Sequence, residues 1–272
     1  MTGTLAQIIS LTSYGNDFLS SKQIVNDYYP LNSTFQFCNL VDFRDFKRPL
    51  FSKPKETIIA KDPNEWFNYL QLSNCKKIRL YYRHSKNQTF ATDHKLAGMV
   101  GGGGTWLIET IYDDHSNYWS NRWEVTKKDD PNNKIWSVNY VVTHKKQPVN
   151  DLHFDLHETF DLLEKELIEI GDFASEKKLF DWSGIFSKAK TILHHSSPNL
   201  EYYHKDLIAE KNYSLLAKQI LFAAGSAWVF GGMGSWNDLG FDTKDENQRY
   251  EELSARLYDA INQSILAAIN SY

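Results

Sequence analysis

Two glycine-rich segments are the first places where this chain could do chemistry. Gly98-Met-Val-Gly-Gly-Gly-Gly-Thr-Trp106 holds four consecutive glycines. Such a backbone can approach a ligand closely and offer several N–H donors to an anion. Phosphate cradles place these glycines between a strand and a helix N-terminus, and a P-loop adds Gly-Lys-Ser/Thr. Here Thr-Trp-Leu-Ile-Glu-Thr-Ile-Tyr follows, which reads as a strand, and no lysine is present. A tight turn or a substrate loop is therefore the expectation. The second segment, Phe230-Gly-Gly-Met-Gly-Ser-Trp-Asn-Asp238, leaves a very apolar stretch. It would carry Ser235, Trp236, Asn237 and Asp238 on a rigid support, where functional groups are often found. The competing reading is a helix stop and a turn, with Trp236 packed back onto the core. Its spacing is not the Gly-x-Ser-x-Gly of a nucleophile elbow.

Metal and nucleophile patterns are weaker. His153 and His157 lie four apart near an expected helix start, beside Asp155 and Glu158. They are the only metal-ligand candidates, although a zincin would place Glu, not Phe154, after the first histidine. Asp113-Asp114-His115 resembles a metal triplet but falls between two strands, where turn chemistry accounts for it. Cys38 and Cys75 form no CxxC and have no assignable histidine partner, so they read as ordinary thiols, with a disulfide between them left open. No cofactor is expected.

These residues must be positioned by secondary structure, and the pattern changes halfway along the chain. In residues 1–150 the dominant period is two. Phe35, Phe37, Val41 and Phe43 hint at a strand, and residues 76–146 carry the strongest signal. There Ile78, Leu80 and Tyr82 alternate with Lys77, Arg79 and Arg83. Trp106 and Ile108 alternate with Leu107 and Glu109, Trp119 and Trp123 with Tyr118, Arg122 and Glu124, and Trp136, Val138 and Tyr140 with Ser137 and Asn139. Short polar links at 113–117 and 127–133 make this an antiparallel meander with one Trp-lined buried face. One short helix interrupts the β-half, with Asp62 as N-cap, Pro63 in its first turn and Glu65 three residues after the cap.

From Phe154 the period becomes helical, and about four helices are expected. One opens at Asp155 and stops at Gly171. A second covers roughly 173–194, a third roughly 204–230, and the last opens on the capping box Thr243-x-x-Glu246. The whole 272-residue chain is expected to be one α+β domain: an antiparallel meander (1–150) with one face covered by the C-terminal helices (151–272).

Composition narrows the function classes. The net charge is −4, with 24% charged and 42% hydrophobic residues, which excludes a disordered tail. Charge is uneven, +5 over 1–150 and −9 over 151–272. That is far from the dense basic stripe of a nucleic-acid binder. The longest apolar stretch, 220–230, is about half a bilayer span, and no basic residue precedes Lys22. A cytoplasmic protein without membrane or nucleic-acid partners is the expectation.

Two function readings result. The first is a non-catalytic recognition protein, binding another protein or a small polar ligand. It would use the polar sheet face (Tyr81, Tyr118, Arg122, Glu124, Asn139) or the Gly-rich loops with Trp236 and Asn237. The second is a hydrolase-type enzyme with its site between the 98–104 and 231–238 loops, and Glu109, His115 and Asp238 as acid–base or ligand groups. Aromatic residues are 14% of the chain. Most of its tryptophans fall on predicted buried stripes, which leaves Trp236, Tyr81 and Tyr118 as the aromatic evidence for function.

Overall fold

Alternation of apolar and charged residues does build the centre of this molecule. The computed structural model describes residues 1–23, 28–47, 55–85, 93–97, 103–149 and 151–272. In chain order its elements are α1 (Gly3–Ser21), β1 (Cys38–Lys47), β2 (Lys55–Ala60), α2 (Pro63–Leu72), β3 (Lys77–Arg83), the single turn α3 (Asp93–Leu96), β4 (Thr105–Ile111), β5 (Ser116–Val125) and β6 (Trp136–Gln147). The helical half follows as α4 (Leu156–Glu176), α5 (Phe180–Leu193), α6 (Leu215–Ser226) and α7 (Lys244–Asn270).

The six strands form one sheet in the order β2-β1-β6-β5-β4-β3. The run from β3 to β6 is the expected antiparallel meander. The sheet as a whole is mixed, however, because β1 joins β6 in parallel and β2 folds back antiparallel on β1. Apolar matching accounts for this pairing: Val41 and Phe43 lie opposite Val138 and Tyr140, so one buried face continues across the junction. On that face Phe43 stacks on Trp66 at 4.3 Å, and Trp66 meets Trp119 edge-on at 5.4 Å.

The larger correction concerns what covers the sheet. The first 21 residues were not expected to form an element, yet α1 is a nineteen-residue helix buried almost all round. It packs on β3, β4 and α2, while residues 206–212 cover its far side. Helices α1 and α2 therefore contact the sheet directly, with α7 joining them at β3; α4, α5 and α6 pack around α7 and each other. Several polar residues of α1 are satisfied internally. Gln7 donates to the Thr34 carbonyl at 3.1 Å and accepts from the Tyr140 hydroxyl at 2.8 Å.

Most helix starts follow their capping residues. Asp62 accepts from the Glu65 amide at 2.8 Å, Asp155 accepts from His157 and Glu158, and Thr243 with Glu246 completes a capping box. Gly171 does not stop α4, which continues to Glu176 because Phe173 and Ala174 still have a core to enter. The third C-terminal helix starts only at Leu215, behind the N-cap Ser214. One hydrophobic cluster runs from Leu5 to Ile269 through both halves. Among the described residues, no helix is long and apolar enough to cross a membrane. Cys38 and Cys75 are both free and buried, and burial pushes their thiols up to about 11 and about 12.

Candidate functional site

The polar sheet face carries half of the sequence-derived site residues, and its charges are largely turned on one another. Arg79, Glu109 and Tyr118 stand opposite one another on three neighbouring strands. Arg79 Nε donates to Glu109 at 2.7 Å and the Tyr118 hydroxyl donates to its other oxygen at 2.9 Å, with all three side chains buried. Farther along, the Asn139 amide and Arg44 both donate to Asp42, at 2.8–2.9 Å, and Asn139 is buried. Arg122 forms a two-point pair with Glu56, at 2.6 and 2.9 Å, while Glu124 is exposed. Tyr81 meets Tyr118 edge-on at 4.9 Å beside a shallow pocket of about 210 Å³ that also touches Arg83 and His144. This face is mostly a self-satisfied ionic layer.

The Glu56 pair makes a pH prediction. Arg122, and then Arg44, hold the Glu56 carboxyl below its ordinary value against the opposing effect of burial. A depressed carboxyl stabilises the fold fully above its unfolded value, about pH 4.3, and loses that contribution as pH falls through the folded value. Glu56→Gln is therefore expected to flatten the loss of stability between roughly pH 5 and pH 3. Urea unfolding across that range checks it, and an unchanged acid limb would contradict the assignment.

The three acid–base candidates are not brought together. Glu109 is locked in its ion pair on the polar face. His115 sits in the β4–β5 turn, bonded to Asp114 at 2.6 Å and stacked on Tyr112. That turn is the far end of β4 from its glycine-rich entry, a strand length of about 20 Å away. Asp238 accepts from the Gly234 amide, as a turn residue does. His153 and His157 are exposed, and among the described residues no group of three or more His, Cys, Asp or Glu could hold a metal ion. Trp236 is fully buried: its indole N–H donates to Ser254 at 2.7 Å, and Trp182, Phe186 and Tyr250 surround it. It belongs to the core.

The two glycine-rich segments do converge, on α3. Residues 98–102 lie outside the described residues, but Gly103 lies against Asp93 and Ala97. From the other segment, the Asn237 amide donates to the His94 carbonyl at 2.9 Å. Around α3, Asp93 accepts from Tyr82 and Ser85 and pairs with His84 Nδ1 at 3.1 Å. His94 meets Glu251 at 3.1 Å, and burial holds its imidazole below the ordinary value, with Glu251 opposing.

Beside α3 opens a cleft of about 470 Å³. Its cause lies in the sheet. Strands β4 and β5 are paired only from Ile108↔Trp119 to Ile111↔Ser116, whereas β4 stays on β3 up to Thr105 and β5 stays on β6 up to Val125. The sheet therefore splits between Thr105–Trp106 on one side and Ser120, Asn121 and Trp123 on the other. Thr2 and Thr4 from the start of α1, Ala97, Trp228 after α6 and Tyr258 of α7 complete the walls. Gly104 is required here for close approach: a Cβ at this position would lie 2.1 Å from the Tyr82 hydroxyl. Tyr82 in turn meets Tyr258 at 3.3 Å.

Trp106, Trp123 and Trp228 are half-buried, not part of the closed core that their periodicity suggested. The Trp228 indole N–H is taken by the Phe230 carbonyl at 2.8 Å. The Trp123 indole nitrogen is buried without a hydrogen-bond partner among the described residues. Among the described residues lining the cleft, Tyr258 is the one titratable side chain, and burial raises its phenol further, so it stays protonated. Comparison with protein-family models, curated proteins and solved structures finds no match, so this cleft is read from its geometry.

Proposed function

We propose that this protein is a non-catalytic recognition protein that binds a small, uncharged polar molecule in the cleft between β4 and β5. The observation that carries this reading is the lining. In a chain with 24% charged residues, the described walls of a 470 Å³ cleft hold three tryptophans, hydroxyls and an amide, and no Asp, Glu, Lys, Arg, His or Cys. Small-molecule sites have this size, about 300–1,000 Å³, and this mixture of apolar area with a few placed polar groups. Acid–base or nucleophilic chemistry needs a titratable group at the reacting atom, and a protonated phenol alone offers a donor and no base.

The convergence of both glycine-rich segments on α3 favours a second reading, a hydrolase drawing on Asp93, His94 and Glu251 beside the cleft. Those groups are engaged with one another or with Tyr82, His84 and Ser85. One experiment separates the two. Melting temperature is measured against neutral sugars and nucleosides, nucleotides and divalent metals, and any stabilising compound is then recovered after prolonged incubation. Stabilisation by a neutral compound that returns chemically unchanged is expected. Stabilisation by metal or nucleotide alone, or a converted ligand, would overturn the proposal.

A further inference from the structure

We infer that the ligand of this cleft is a neutral carbohydrate, a mono- or disaccharide; the inference rests on the cleft being a binding site for an uncharged molecule. A sugar ring has apolar C–H faces and a rim of hydroxyls that each donate and accept. The cleft offers both counterparts. Trp106 and Trp123 stand on the two sides of the sheet split, and Trp228 stands on the helix side, with its N–H already occupied and its ring left as an apolar surface. Between them, Thr105, Ser120 and Asn121 supply groups that donate and accept alike.

A further feature fits a polyol. The divergence of β4 from β5 leaves Thr105–Trp106 and Ser120–Asn121 without each other as ladder partners, so backbone groups border the same space. The absence of Lys and Arg from the described lining counts against sugar phosphates and nucleotides, whose charge needs a cation. The remaining neutral competitor is a nucleoside, which aromatic rings also stack.

The test uses the full chain and isothermal titration with three probe sets. These are neutral sugars (glucose, galactose, mannose, xylose, N-acetylglucosamine, maltose, cellobiose, lactose), the nucleosides adenosine and uridine, and glucose 6-phosphate. Saturable binding of at least one neutral sugar is expected, with glucose 6-phosphate at least tenfold weaker than glucose. Trp228→Ala and Thr105→Glu, each confirmed as folded by circular dichroism, should weaken that sugar tenfold or more. Because Thr105 is exposed, its variant keeps the test decisive if Trp228→Ala fails to fold. Nucleoside binding alone, abolished by the same variants, would overturn the carbohydrate assignment and leave the neutral-ligand reading standing. No binding from any set would overturn both, and sugar binding untouched by either variant would remove it from this cleft.

Discussion

Replacing Asn16 by leucine is expected to destabilise this protein by about 2–6 kcal/mol, because two buried backbone groups lose their partners at once. Strand β3 is an edge strand, so the outward N–H and C=O groups of Ile78 and Leu80 have no neighbouring strand. Two asparagines replace it. Asn16 of α1 accepts from the Ile78 N–H and donates to the Ile78 C=O, both at 2.7 Å and both buried. Asn270 of α7 does the same for Leu80, at 2.8 and 2.9 Å. Each carboxamide presents one donor and one acceptor to the backbone, as a strand residue would. Leucine matches asparagine in size and removes both functions; aspartate keeps only the acceptor. Urea unfolding should place Asn16→Leu well below the wild type. A loss under about 1 kcal/mol would mean that water or a shifted side chain replaces the amide.

This device also shows what could be read from the chain before its fold was known. The meander was legible because alternation over residues 76–146 reports which face each side chain takes, and the helix starts were legible because Asp62, Asp155 and Thr243 act within three residues. Helix α1 was not. Its apolar stripe is blurred by Gln7, Ser10, Ser13 and Asn16, which make long-range bonds to Thr34, Tyr28, Ala209 and Ile78. A helix buried almost all round has no polar face to reveal its period. The cleft was hidden for a related reason. Periodicity assigns Trp106 and Trp123 to the inner face of the sheet correctly, but says nothing of where two strands part company. The divergence of β4 from β5 beyond Ile108↔Trp119 turns part of an inner face into a wall. Trp236 shows the converse: its loop position left a functional role and packing back onto the core both open, and tertiary packing buries it among aromatic rings.

Arg79→Met is expected to cost about 3–5 kcal/mol, and the partner substitution Glu109→Leu should restore most of it. Glu109 is wholly buried in the middle of β4, and a carboxylate there is tolerated because Arg79 and the Tyr118 hydroxyl bind its two oxygens. Removing the guanidinium leaves that charge in a poorly solvating site with a single donor, which is far more costly than the pair was worth. The double variant Arg79→Met/Glu109→Leu removes both desolvation costs and fills the space with apolar atoms, so its stability should return to within about 1–2 kcal/mol of the wild type. A double-mutant cycle by chemical denaturation gives the coupling directly. If the double variant were as unstable as the sum of the singles, the pair would not be acting as one buried unit. Because these side chains lie on the face of the sheet opposite the tryptophans, the folded double variant should also keep full ligand affinity in the β4–β5 cleft. Fold stability and recognition would then be separable on the two faces of one strand.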